Sequence, residues 1–286
     1  MGTTAMKINN LVDLHCHILP AIDDGSPSLE ASLELARQAV ADGIRYILAT
    51  PHHMDRHYLN HAGDVSAAVK AFQAELDAND IPLTIFPGQE VHLNGQLMEN
   101  IDDLLGIDTS RHYLLLELPH EMVPSYLDEM IFQLSCEGIT PVIAHPERNA
   151  QIIAEPQRLY KLAEDGVLAQ VTATSLVGTF GEQVQRTAKE FVKCGLVQVV
   201  ASDAHTLKNR GFAMTKAYQV LNEMDSQYPE RFATNARNLL NGEHIDSGKV
   251  LVPRKQKNFG CFRTGIELRS STVLVKGVDI DGAWRK

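Results

Sequence analysis

The chain lacks paired cysteines. Its four, Cys16, Cys136, Cys194 and Cys261, form no C-x-x-C and no zinc-finger spacing, so they read as reduced thiols rather than a disulfide framework or thiolate metal site. A phosphatase built on a cysteine with an arginine six residues later is also excluded, because Ile22, Val142, Val200 and Glu267 stand at those places. No eighteen apolar residues run together, and Met1 to Lys7 contains no apolar h-region. Neither secretion nor a membrane span is indicated, and the cytoplasm is the expected compartment. Fixed-period repeats and low-complexity tracts are absent as well.

Excess positive charge is missing from most of the chain. The 286 residues carry a net charge of −10. Residues 249–286 hold nine Lys/Arg and three Asp/Glu, which leaves 17 Lys/Arg against 33 Asp/Glu in residues 1–248. An acidic body argues against nonspecific nucleic-acid binding and suits a cation site, although most of those charges serve as a solvated surface. The length fits one barrel-sized domain, residues 1–248, followed by a basic tail, residues 249–286, expected to be disordered or loosely packed.

What is present is an alternation of short β-rich runs with amphipathic stretches. The apolar Leu11-Val12 opens a strand; Ser28 to Asp42 reads as a helix stopped by Gly43. Strands are expected at 45–50, 82–86, 113–117, 141–145, 167–172 and 196–201. Further helices are expected at 64–79, 124–137, 156–165 and 182–194. This order predicts an α/β fold with right-handed β-α units and a mostly parallel sheet. About seven strands can close into a barrel, and no Gly-x-Gly-x-x-Gly follows the first strand to mark an open dinucleotide-binding sheet.

Ligand-type residues cluster at the carboxyl ends of these runs: His15 and His17, with Asp24 beyond; His52 and His53; Glu90; Glu117; His145 with Arg148; Asp203 with His205. Residues two apart on a strand share a side, so His15 and His17 can grip one ion together. Each residue alone has an ordinary reading: His145 as a core histidine, Glu117 as a strand-end charge, Asp203 as a helix cap. Six strand ends finishing this way is a stronger signal, because buried strands disfavour charge unless it is paired or metal-bound. In a β/α barrel those ends meet at one face.

His15-Cys-His17-Ile-Leu-Pro-Ala-Ile-Asp-Asp24-Gly, Thr50-Pro-His-His53, Gly88-Gln-Glu90, Ala144-His-Pro-Glu-Arg148 and Ser202-Asp-Ala-His205 together resemble the PHP superfamily of metal-dependent phosphoesterases. More narrowly, residues 10–245 resemble its bacterial protein-tyrosine phosphatase branch, the CpsB/YwqE type linked to capsule and exopolysaccharide production. The resemblance implies a distorted seven-stranded β/α (TIM-like) barrel holding three ions, usually manganese. It places His15, His17, Glu90 and Asp203 on one ion, with Glu90 bridging to a second held by Glu117 and His145. Asp24, His52 and His205 hold the third, and Arg148 and Arg210 bind phosphate. A phosphotyrosine protein is the implied substrate and a bacterial tyrosine kinase the implied partner; a homo-oligomer is left open. Ala21 stands where that family commonly has glycine, which would stiffen the loop carrying Asp24.

The chemistry can also be argued from residue types. Nitrogen and oxygen ligands without thiolate suit Mn²⁺, Fe²⁺, Zn²⁺ or Mg²⁺, and several imidazoles argue against pure Mg²⁺ or Ca²⁺. A water shared by two ions loses a proton near neutral pH and becomes the nucleophile for phosphate-monoester hydrolysis. Guanidinium forks stabilise the equatorial phosphoryl oxygens. The ordinary alternatives are a salt bridge to Glu147 for Arg148 and a solvated first helical turn after Asn209 for Arg210. Asp13 is expected to support the site from β-strand neighbours, Cys16 to face packing, and His53 is the candidate general acid. Competing functions are a histidinol-phosphate phosphatase, an amidohydrolase, for which no strand-end lysine is found, and a noncatalytic metal-bound scaffold.

Overall fold

A computed structural model describes residues 10–206, 210–245 and 247–254. Among them nine strands run in chain order: β1 Leu11–Cys16, β2 Ile44–Ala49, β3 His52–His53, β4 Thr84–Pro87, β5 Glu90–His92, β6 Tyr113–Glu117, β7 Thr140–Ala144, β8 Leu168–Thr172 and β9 Val199–Ala201. All strand pairings are parallel. They form a three-stranded sheet, β1-β2-β4, and a six-stranded sheet, β3-β5-β6-β7-β8-β9. The described strands thus form two ladders.

The reason lies in two interruptions. Between β2 and β3 stands Pro51, which has no N–H to give to a ladder, and between β4 and β5 stand Gly88 and Gln89. Each run thus contributes a strand to both sheets. Backbone bonds cross the gaps: Thr50 N donates to Cys16 O at 2.9 Å, Gly88 N to Ala49 O at 2.9 Å and Glu90 N to Pro51 O at 3.2 Å. At the other margin Asp203 N donates to His15 O at 2.8 Å and His17 N to Ala204 O at 2.9 Å.

Helices α1 Leu29–Ala41, α2 Ala62–Ala78, α3 Leu127–Cys136, α4 Ala150–Ala154, α5 Gln157–Glu164, α6 Ala173–Val177, α7 Glu182–Lys193, α8 Met214–Met224 and α9 Tyr228–Asn241, with 3-10 helices at Met98–Asp103 and Pro146–Arg148, complete the described elements. Helix α1 begins where Ser28 Oγ accepts from Ala31 N, an N-cap, and is followed by Gly43 at φ 89°, the stop expected for it. The expected helices match α1, α2, α3, α5 and α7 to within a few residues. The short β3, β5, α4 and α6 were too brief to carry a period.

Two apolar clusters fix the strands. One includes Val12, Leu14, Leu48, Leu115, Val142, Ala144, Leu168 and Val199 and is continued by Ala236 and Leu239 of α9. The larger one joins the helices to the opposite strand faces. Each fully buried leucine contributes about 1.5–3 kcal/mol relative to exposure. Because side chains alternate along a strand, Leu115 shares a side with Glu117, and Leu168 with Gln170. The register of β1 slips between Asp13 and Cys16, a bulge of the kind that re-aims side chains beside sites.

Residues 249–254 were placed in the tail by the sequence, and they lie against α7: Leu251 N donates to Cys194 O at 2.8 Å and Arg254 N to Glu190 Oε1 at 3.3 Å. The remainder of the tail, 255–286, lies outside the described residues. No helix among the described residues is long and apolar enough to cross a membrane.

Candidate metal centre

The carboxyl ends of the parallel strands bring the nominated side chains together. His15 lies on β1, one residue before its end at Cys16, and His17 follows the strand; His52 lies on β3, Glu90 on β5 and Glu117 on β6; His145 follows β7, and Asp203 and His205 follow β9. His145 and Asp203 take the left-handed backbone region, φ 36° and 52°. Such strain at non-glycine residues is common where a site must be aimed.

Four donor atoms converge first. His15 Nε2 and His17 Nε2 are 3.2 Å apart, and each is 3.2 Å from Glu90 Oε2. Asp203 Oδ1 is 3.5 Å from the first and 3.6 Å from the second. Donors on one ion, with bonds of about 2.0–2.2 Å, stand about 3.0–3.5 Å from one another. The spacings of 3.2–3.6 Å are close to that polyhedron, and the three at 3.2 Å also stand at the upper end of hydrogen-bond lengths, about 2.7–3.2 Å.

Glu90 turns its other oxygen the opposite way, with Oε1 2.9 Å from His145 Nε2, which in turn is 3.7 Å from Glu117 Oε1. One carboxylate thus faces two donor sets. A third set forms around Asp24, whose Oδ1 is 3.4 Å from both His52 Nε2 and His205 Nε2. All nine nominated ligands therefore lie in one connected cluster. Eight are buried or nearly so, and Asp24, with its side chain 47% exposed, is the outer one.

The electrostatics suit cations. Burial opposes charge on Asp203, but Arg148, His15 and Arg210 hold its carboxyl well below the usual range. Glu90, also buried, is held low by His15, His145 and His17. Burial lowers His145, with Arg148 nearby, and brings His205 down to about 4, so both imidazoles are neutral, the form that ligates. Burial alone would lower His17, yet Asp23 and Glu90 push it up to about 10. An ion would have to displace that proton. His52 Nδ1 lies 3.1 Å from Glu90 Oε2 and His205 Nε2 3.4 Å from Asp24 Oδ1, neither in hydrogen-bond geometry. The donor set and its spacing fit bound divalent metal.

Both nominated arginines reach the cluster. Arg148 NH2 lies 2.5 Å from Asp203 Oδ2, and Arg210 NH2 lies 2.9 Å from both Asp203 oxygens. Arg148 therefore pairs with Asp203 and not with Glu147, whose Oε1 instead accepts from Thr172 N at 2.9 Å. Arg210 precedes α8 and belongs to a bridge with Thr206 rather than to a helical turn.

Supporting residues escaped the sequence reading. Asp23 Oδ2 holds His17 Nδ1 at 2.7 Å, Gln170 Oε1 lies 3.0 Å from His15 Nδ1, and His92 Nδ1 lies 3.1 Å from Glu117 Oε2. Such contacts fix ring orientation and tautomer. Gln170 had a visible signal, a lone amide inside the apolar run Leu168 to Val171, since a buried polar group needs a partner. Asp13 accepts from Ser202 N at 2.8 Å and Ser202 Oγ at 2.5 Å, so it anchors the segment that carries Asp203 and does not touch the imidazole of His15.

His53 is not at the centre. It alternates with His52 on β3, is 1% exposed, and its nearest carboxylate is Asp103 at 3.9 Å. Strand alternation turns it away, which removes it as general acid. Cys16 is fully buried with its Sγ 3.7 Å from Ala204 O, and burial raises its thiol well above the usual value. It is an inert packing residue.

Ala21 adopts φ 59° while its N donates to Ser26 O at 2.7 Å, which explains why glycine suits that place. The left-handed region costs a non-glycine residue about 1–2 kcal/mol, and glycine adds about 0.5–1 kcal/mol of chain entropy. Ala21→Gly is expected to raise stability by about 0.5–1 kcal/mol. A shift of the urea midpoint at constant slope checks it, and no shift would show that the loop carries no strain.

The family model described as capsular polysaccharide synthesis, CpsB/CapC, matches residues 11–241. The tyrosine-protein phosphatase YwqE of Bacillus subtilis is 40% identical over 255 residues, covering 88% of this chain and all of that protein. The putative tyrosine-protein phosphatase CapC of Staphylococcus aureus is 32% identical over 87% of this chain and 98% of its own length. A solved chain from the structures of YwqE of Bacillus subtilis and CpsB of Streptococcus pneumoniae, described as metal-dependent tyrosine phosphatases, superposes with a TM-score of 0.81. It is 39% identical and covers 85% of this chain and 100% of its own. The chain belongs to the CpsB/CapC family.

Proposed function

We propose that this CpsB/CapC-family chain is a metal-dependent protein-tyrosine phosphatase that serves capsule or exopolysaccharide synthesis. The observation that carries the reading is the donor cluster joined through Glu90, with two guanidinium groups at its edge. In this proposal His15, His17, Glu90 and Asp203 hold one divalent ion, Glu90, Glu117 and His145 a second, and Asp24, His52 and His205 a third, with Mn²⁺ the expected metal. Such ions supply Lewis-acid charge and make water acidic enough to act near neutral pH.

Charge supports the substrate class. Three divalent ions and the guanidinium groups of Arg148 and Arg210 would outweigh the carboxylates Asp23, Asp24, Glu90, Glu117 and Asp203. The net positive charge suits a phosphate-monoester dianion. Arg148 and Arg210 then turn from Asp203 toward the phosphoryl oxygens, where a planar fork can hold two at once. A phenol, with a pKa of about 10, leaves without a strong acid, which agrees with the displacement of His53 from the site. Asp23 and Gln170 keep the Nε2 atoms of His17 and His15 aimed inward.

The distorted seven-stranded barrel is part of the proposal. It is supported by the two runs, 44–53 and 84–92, that each pass through both sheets, and by the bonds that join His15 and His17 to Asp203 and Ala204. A cytoplasmic location and a bacterial tyrosine kinase as partner complete the reading. Rates on a phosphotyrosine peptide and on histidinol phosphate, measured with added Mn²⁺, test it. Faster turnover of the peptide is expected; faster turnover of histidinol phosphate would overturn the substrate assignment.

A further inference from the structure

One ring beside Arg148 is not used by the chemistry proposed above. Phe180 sits in the turn Gly178-Thr179-Phe180-Gly181 between α6 and α7. Both glycines are left-handed, φ 92° and 90°, Gly181 N donates to Gly178 O at 3.1 Å, and Thr179 N donates to Thr174 O at 3.0 Å. The turn is thus closed and tied back to α6, and it presents its third residue at a defined place. Phe180 is half-buried and belongs to neither apolar cluster. The recorded partner of its ring is the Arg148 guanidinium, whose carbon lies 5.3 Å from the ring centroid.

That pairing puts an aromatic surface beside a residue proposed to hold phosphate. Arg148 spends one NH2 on Asp203 Oδ2 and its buried Nε has no hydrogen-bond partner among the described residues, so its fork is not saturated by the protein. A phosphoryl group gripped there carries its leaving group one oxygen away, within reach of edge-to-face contact with Phe180, which operates at centroid separations of about 4.5–7 Å. An aryl group can use that contact. A methyl or serine methylene cannot.

We propose that Phe180 is a specificity-determining residue that offers its ring to the aryl group of the substrate while Arg148 holds the phosphoryl group. This rests on the phosphotyrosine reading above and names the feature of that site that selects aryl over alkyl esters. Two other rings lie against proposed ligands: Tyr58 stacks on His52 at 6.0 Å, and His120 on His145 at 6.2 Å.

The test uses competitive inhibition of the Mn²⁺-loaded protein by phenylphosphonate and by methylphosphonate, which share the anionic head and differ in the aryl group. Phe180→Leu is expected to weaken phenylphosphonate about three- to tenfold while methylphosphonate changes less than about twofold. Phe180→Tyr is expected to restore the parent ratio. Equal weakening of both inhibitors would show that the ring only positions Arg148 and would overturn the proposal. A parent preference for phenylphosphonate that survives Phe180→Leu would overturn the role of Phe180 and leave the substrate reading standing. No aryl preference in the parent would overturn both.

Discussion

The Asp203→Asn protein is expected to bind at least one ion fewer than the parent and to hydrolyse p-nitrophenyl phosphate at least about 10³-fold more slowly. Asp203 is the most heavily used carboxylate of the centre: Oδ1 faces His15 and His17, and Oδ2 takes both arginines. Its side chain is 1% exposed. Asparagine is the informative replacement, because it tolerates the left-handed backbone at φ 52° and keeps the shape while it removes the charge. The loss therefore reports charge rather than a broken turn. Removing one partner from a buried ion pair costs about 3–5 kcal/mol, so the variant should also unfold at lower urea. Elemental analysis with turnover and denaturation measures all three. Retention of the full metal complement would remove Asp203 from the proposed ligand set.

Arg148→Ala should give the opposite pattern, with metal kept and turnover lost. Arg210 remains on Asp203 at 2.9 Å, so the carboxylate keeps a counter-charge and the donor set around Glu90 is untouched. The guanidinium that would neutralise the phosphoryl oxygens is gone, and removing one such preorganised donor costs about 10²–10³ in rate. Arg148→Lys should recover only part of the loss, since an ammonium brings charge without the two-pronged fork. Equal activity of the Arg148→Ala and parent proteins toward p-nitrophenyl phosphate would remove Arg148 from the mechanism.

The contrast between these variants shows how the centre divides its work. His15, His17 and Glu90 meet through inward-facing atoms, and their outward atoms are occupied by Gln170, Asp23 and His145. The arginines sit at the margin and share Asp203, so the group that would organise an ion also sets where the phosphate binders wait. This coupling is why the charge on Asp203, and not merely its presence, should matter.

Much of this was legible in the chain. The alternation of β-rich and amphipathic runs predicts parallel β-α units, because a crossover helix is the ordinary way to join parallel strands. Strand periodicity predicts that His15 and His17 point together and that Cys16 does not. It failed for His53 only because β3 has two residues, too few to reveal which of the adjacent histidines faces inward.

The sequence by itself determined which residue types end the strands, and hence that an imidazole and carboxylate centre without thiolate was available. Only the tertiary structure decided how those groups pair: that Glu90 divides its oxygens between two donor sets, that Arg148 and Arg210 both lean on Asp203, and that Asp23, Gln170 and His92 hold the rings. It also decided that Pro51 and the Gly88-Gln89 break split the strands into two ladders. Periodicity is a local property, carried by neighbours along one strand or helix. Pairing between side chains as much as 189 positions apart, as for Asp13 and Ser202, depends on where packed strands finally bring them, which no local pattern encodes.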